Sequence, residues 1–369
     1  MKAIFFLSLA IVIYTYVGYA ALLWLLGHFC KRPFMQEEIT PSVSIVIAAY
    51  NEEANLTAKL ENLRLLGYPK DRLQVIVVSD GSSDRTAGIL REHSATVQSV
   101  ILEYANGKAH AINQGVKRAT GEILVFLDVR QRIDRNAVSS LVSCFADHEV
   151  GAVSGELLLD NDDGTPSNDG LGIYWRIEKA VRKLESASGS VVGVTGAIYA
   201  IRRQIFKDIP DGTILDDVFV PMNVALAGKR VVFQATALAY DRLSPASGKE
   251  FSRKVRTLTG NYQLLRLAPW LLSKKNPLWF RFVSHKLLRL WVPLFLLLMF
   301  ITSAAVPGIS YRIVFWLQVA LYLGALLGAS VPSTKNFAPI AVASTFVMLN
   351  VAACVAFYNF ILGRYRVWT

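Results

Sequence analysis

The chemistry available to this chain is concentrated in acidic turns that follow apolar runs. Val75-Ile76-Val77-Val78-Ser79 stops abruptly at Asp80-Gly81-Ser82-Ser83-Asp84. An apolar, β-branched run bounded by turn residues reads as a buried strand of a parallel sheet. Asp80 is then the first residue past the strand end. A second run, residues 43–49, stops at Tyr50-Asn51-Glu52-Glu53, and a third, residues 123–127, stops at Asp128-Val129-Arg130. Ligands of open α/β sheets sit just beyond the carboxyl ends of the strands. A carboxylate placed there costs desolvation energy unless something binds it, and a nucleotide base or a metal–phosphate group would serve. Taken singly, each turn has a plainer reading, since Asp, Gly and Ser are ordinary turn formers. Asn106-Gly107-Lys108 lies between the last two acidic turns and brings a cation to a helix start.

The elements that must position these residues alternate along the chain. Leu56, Leu60 and Leu63 have helical spacing within residues 52–66. Strands are expected over 73–79, 97–102 and 123–127, with a helix from Lys108 through Arg118. Alternation of this kind predicts α/β winding, which gathers the strand ends along one edge. Residues 171–184 place Ile173, Ile177, Val181 and Leu184 on one face, as an amphipathic helix packed on the sheet would.

The chain has 369 residues, 53% of them hydrophobic, too apolar for an ordinary soluble enzyme. The excess lies at the two ends. Residues 4–27, 290–306, 313–333 and 337–363 carry no charge, and each is near or above spanning length. The expected organisation is a membrane helix within residues 1–30 and an α/β domain over 41–250. An interfacial amphipathic segment over 251–285 and about three membrane helices within 286–363 follow. The net charge of +11 crowds beside the apolar segments, at Lys31-Arg32 and from Lys249 to Arg289. That pattern fits a multi-pass membrane protein whose middle domain is cytoplasmic, and it assigns the basic residues to the membrane rather than to nucleic acid. Arg364 and Arg366 run against this tendency if three spans follow the domain. Cys30, Cys144 and Cys354 show neither a disulfide framework nor zinc spacing, and His110, His148 and His285 show no ligand spacing.

The ordered motifs resemble the catalytic domain of family-2 inverting glycosyltransferases. The family has a Rossmann-like GT-A fold, and its membrane members include cellulose, hyaluronan and poly-N-acetylglucosamine synthases. The resemblance runs from about residue 43 to 260. It rests on Ala49-Tyr50-Asn51-Glu52, the Asp80 turn, Gly107-Lys108 with Asn113, Asp128, Thr195-Gly196-Ala197, Leu215-Asp216-Asp217 and Arg253-Lys254-Val255-Arg256. It implies that Tyr50 and Glu52 line the nucleoside pocket, Asp80 meets the base, and Lys108 approaches the base or diphosphate. It implies too that Asp128 holds the donor sugar or a Mg²⁺ or Mn²⁺ ion, that Asp217 is the catalytic base, and that Arg256 lies near the leaving diphosphate. The family usually has Asp-x-Asp where this chain has Asp128-Val129-Arg130, so the metal rests on one carboxylate and Arg130 becomes a candidate donor contact. Thr257 stands where the polymerising synthases carry Trp. The implied activity is transfer of a sugar, UDP-linked, to a lipid-linked or growing saccharide acceptor. Alternatives are transfer to a polyprenyl phosphate and a noncatalytic subunit that binds nucleotide sugar.

Overall fold

The structure is a computed structural model that describes residues 1–160, 170–242, 247–331, 333–334 and 337–365. Arg366 lies outside them, as do the side chains of Ile173 and Lys249. The apolar runs form β1 (Val43–Ala49), β2 (Leu73–Asp80), β3 (Gln98–Leu102) and β4 (Ile123–Leu127). Four more strands follow: β5 (Arg132–Ile133), β6 (Val150–Asp160), β7 (Ile198–Arg202) and β8 (Arg230–Arg242). They build one eight-stranded sheet in the order β3-β2-β1-β4-β7-β6-β8-β5. Every residue of β1 and β4 is buried. Alternate side chains divide between two cores: Val46, Ile76, Val78, Leu124 and Phe126 point to one face, and Ile45, Ile47, Val77, Val125 and Leu127 to the other.

Strands β3, β2, β1 and β4 are parallel, as their composition predicts. The whole sheet is mixed, however, because β7 runs antiparallel to both β4 and β6, and β5 antiparallel to β8. The segment before β7 already lies at the carboxyl edge, so the strand that leaves it must run back against its neighbours. The chain reverses its winding direction between β1 and β4. That reversal opens a crevice beyond their carboxyl ends, the place where such sheets bind ligands.

Among the described residues, four helices are long and apolar enough to cross a membrane: Lys2–Phe29, Trp279–Ala305, Ile309–Ser330 and Ala338–Ile361. The second begins eleven residues before the charge-free stretch that starts at residue 290, and so takes in Arg281, His285, Lys286 and Arg289. Tertiary partners make this tolerable. Arg281 donates to the carbonyls of Glu185, Ser188 and Ser190. His285 lies between Glu185 at 2.9 Å and Glu178 at 3.3 Å, and Arg289 pairs with Glu178. Tyr19 of the first membrane helix donates to Glu185 at 2.6 Å. The acids come from the helix Gly170–Ala187, which ties the sheet domain to two of these candidate spans. The helix Ser247–Leu267 buries Tyr262 and Leu264 in the main core, and Tyr262 stacks on Phe360 of the last span. Cys30, Cys144 and Cys354 are free.

Candidate active site

A cleft of about 380 Å³ opens at the carboxyl edge of the sheet. Tyr50, Glu52, Lys108, Asp128, Arg130, Asp217 and Arg256 all line it, although they span some two hundred residues of sequence. Tyr50 and Glu52 leave the end of β1, and Asp128 and Arg130 leave the end of β4, on the two sides of the winding reversal. Lys108 is the first residue of the helix Lys108–Arg118. That helix approaches β1 so closely that a Cβ at Gly115 would lie 2.5 Å from Val46.

Charge is distributed unevenly across the cleft. The Lys108 ammonium lies 2.9 Å from Asp128 and 3.5 Å from Asp216. Burial alone would lower its pKa, but the two carboxylates outweigh burial and hold it above its ordinary value. Arg130 donates Nε to Asp241 at 3.1 Å and pairs through its terminal nitrogen with the same carboxylate, which also accepts from Gln131 at 2.9 Å. Arg253 and Arg256, from the helix Ser247–Leu267, add cations along the opposite wall.

Asp216 and Asp217 open the helix Asp216–Leu226, a position that favours acidic residues. Asp216 Oδ2 lies 3.5 Å from the Lys108 ammonium, and both that oxygen and Oδ1 of Asp217 are buried without a hydrogen-bond partner. Burial first, and the adjacent Asp216 second, raise the Asp217 pKa to about 6; Lys286 and Lys108 oppose the rise. The backbone oxygen of Asp217 accepts from Val194 at 2.9 Å, which draws the Thr195-Gly196-Ala197 turn against it. A Cβ at Gly196 would lie 3.8 Å from the Lys108 ammonium and 3.9 Å from Asp217 Oδ2, so a side chain there would fill the space between ammonium and carboxylate.

Asp80 departs from its expected place. It is the last residue of β2, is fully buried and does not line the cleft. Its carboxylate accepts from the backbone amides of Asn106, at 3.0 Å, and Gly107, at 2.7 Å. Gly81 permits this approach: its φ is +60°, and a Cβ there would meet the amide nitrogen of Ala105 at 2.3 Å. In the structure Asp80 fixes the turn that presents Lys108.

Asp241, Trp175, Arg182 and Arg253 also line the cleft. Asp241, next to the last residue of β8, and Trp175, within the helix Gly170–Ala187, belong to none of the motifs read from the sequence. Among the described residues no group of three or more His, Cys, Asp or Glu could hold a metal ion. Asp128 faces the cleft with Lys108 on its Oδ1, and Glu52, Asp216, Asp217 and Asp241 also line it. Such a set suits a divalent ion only when substrate phosphates complete the coordination.

A parallel half-sheet, a crevice at its winding reversal and a cleft beyond it are the features of a GT-A fold. Residues 44–210 match the family described as Glycosyl transferase family 2. Over 276 residues it is 25% identical to the poly-beta-1,6-N-acetyl-D-glucosamine synthase of Staphylococcus aureus (strain COL), covering 72% of this chain and 66% of that one. The Staphylococcus epidermidis synthase is also 25% identical, over 281 residues, with 71% of this chain and 68% of that one covered. Among solved structures, the mannosyltransferase PcManGT from Pyrobaculum calidifontis, in complex with GDP-Man and Mn²⁺, has the same fold. Its TM-score is 0.71 at 21% identity, over 98% of this chain and 99% of that one. Staphylococcus aureus TarS 1-349, in complex with UDP-GlcNAc, gives a TM-score of 0.50 at 16% identity, with 88% and 93% covered.

Proposed function

We propose that this protein is an inverting enzyme that moves a sugar from a cytosolic nucleotide donor to a lipid-linked or growing saccharide acceptor at the membrane. Cell-envelope or exopolysaccharide assembly is the setting. The observation that carries this reading is Asp217: a buried, unpartnered carboxylate oxygen with a pKa raised to about 6, in the same cleft as Lys108, Asp128, Arg130 and Arg256. Inverting transfer is a single displacement at the anomeric carbon. The acceptor hydroxyl gives its proton to Asp217 as its oxygen bonds to that carbon, and the bond to the diphosphate breaks on the opposite face. A base of near-neutral pKa suits this step. The diphosphate leaves with growing negative charge, which Arg256, Arg130 and Lys108 offset in the cleft. A divalent ion held by Asp128 and the diphosphate would add to that charge stabilisation.

The donor is read as UDP-linked because the synthases of similar sequence are named for N-acetylglucosamine polymers and the TarS complex holds UDP-GlcNAc. The GDP-Man complex of PcManGT makes GDP-mannose the donor to test beside it. Thr257 in place of Trp at the acceptor side of the cleft favours one or a few transfers over a long polymer. The organisation into a membrane helix within 1–30, a catalytic domain over 41–250, an interfacial segment over 251–285 and membrane helices within 286–363 belongs to the same proposal. It places the catalytic domain on the cytoplasmic side. The test is incubation of the purified full chain with membrane lipid extract and a panel of nucleotide sugars. Release of free nucleoside diphosphate is measured together with the mass of the product. No donor-dependent release with any donor would leave a nucleotide-sugar-binding subunit as the better reading.

A further inference from the structure

The turn that follows β4 is gripped from beneath by a buried amine. Lys59, on the helix Glu53–Arg64, is only 2% exposed. Its Nζ donates to the carbonyl oxygen of Gln131 at 2.8 Å. Leu56, Leu60 and Leu63 of the same helix fill the surrounding core with plain hydrocarbon. An amine at that depth is costly to bury, so an apolar residue would serve packing better. Burial pushes the Lys59 amine down to about 7, and the carboxylate that opposes this is Asp128.

The grip extends along the turn. One helical turn beyond Lys59, Asn62 donates to the Ile133 carbonyl at 2.9 Å and accepts from the Ile133 amide at 2.7 Å. From the other side, Asp241 of β8 holds Arg130 and Gln131. Residues 130, 131 and 133 are thus held from two elements, while Asp128 and Arg130 still line the cleft. A turn with this many anchors keeps its shape when an anion arrives, which spares the ordering cost that binding otherwise incurs.

We propose that Lys59 is a positioning residue for the diphosphate end of the donor, acting through the Gln131 carbonyl on the turn that carries Asp128 and Arg130. The proposal rests on reading Asp128 and Arg130 as diphosphate-side groups. The probes are UDP, UMP and GDP with Mn²⁺, titrated calorimetrically into the detergent-solubilised full chain. Lys59→Met should weaken binding of the diphosphates about 10-fold, the effect of one lost buried hydrogen bond, and leave UMP affinity unchanged. Leu63→Ala, a packing change on the same helix, should lower the melting temperature and leave the affinities as they are. If Lys59→Met lowers only the melting temperature, or weakens UMP as much as UDP, the inference is overturned. Should the methionine variant not fold, Lys59→Gln, whose shorter amide falls short of the carbonyl, is read for the same diphosphate-to-monophosphate difference. Asp128→Asn runs alongside. Unchanged diphosphate affinity there would overturn the donor reading of the cleft itself, whereas a loss at Asp128 without one at Lys59 overturns this inference alone.

Discussion

Asp217→Asn should abolish transfer and at the same time stabilise the folded protein. The carboxamide keeps the shape of the side chain and loses its basicity, which typically costs about 10²–10⁴-fold in rate. The stability gain follows from the raised pKa. A rise from 3.8 to about 6, caused by burial and by Asp216, corresponds to about 3 kcal/mol in favour of the neutral acid. The sign depends on pH. Below the unfolded-state value the carboxyl is protonated in both states and costs nothing. Between that value and about 6 the folded state holds more protons than the unfolded state, so stability falls as pH rises. Above about 6 the full penalty of a buried anion is present, and asparagine removes it. The variant should therefore match the wild type near pH 4 and exceed it by up to about 3 kcal/mol at pH 8. Denaturant melts of the two proteins across this range give the difference, and sugar transfer from labelled donor gives the rate. A variant that keeps more than about a tenth of the wild-type rate is not missing its base. A stability difference that does not change with pH would mean that Asp217 is not a strained buried anion.

Lys286 lies close to the same carboxylate: its ammonium and the Asp217 backbone oxygen are 3.8 and 3.4 Å from the position a Cβ would take at Gly193. Its charge lowers the Asp217 pKa, so Lys286→Met should move the acid limb of the pH–rate profile upward from about 6, and an unmoved limb would refute the coupling. Asp80→Ala leaves the buried amide of Gly107 and the part-buried amide of Asn106 without their acceptor and should destabilise the protein by about 1–3 kcal/mol, read from denaturant melts. Activity should require a divalent ion that binds weakly in the absence of nucleotide, since Asp128 offers too few oxygens alone. Titration of Mn²⁺ with and without nucleoside diphosphate checks this, and full activity after exhaustive chelation would show that Lys108 and Arg130 suffice.

What the sequence determined by itself is local. Strand composition and turn residues place β1, β2 and β4 and their acidic ends almost to the residue, because a buried strand must be apolar throughout and must stop where the chain turns. The helix Lys108–Arg118 was equally legible from its Gly107-Lys108 start. Four charge-free stretches announce four candidate membrane spans. Contacts between distant segments were decided by the tertiary structure alone. The second span starts early because Glu178 and Glu185, about a hundred residues upstream, neutralise charges that a hydropathy count can only treat as exposed. Strand β7 runs backward because of where the preceding loop ends, which its own composition does not encode. Asp80 and Asp128 look alike in sequence, each an aspartate at the end of an apolar strand. One is closed off by the amides of residues 106 and 107, and the other faces an open cleft. Asp216 and Asp217 are adjacent and chemically identical, yet only the fold sets one 3.5 Å from Lys108 and raises the pKa of the other by burial. A carboxylate's identity is written in the chain, but its basicity is set by how much water and which charges the fold leaves around it.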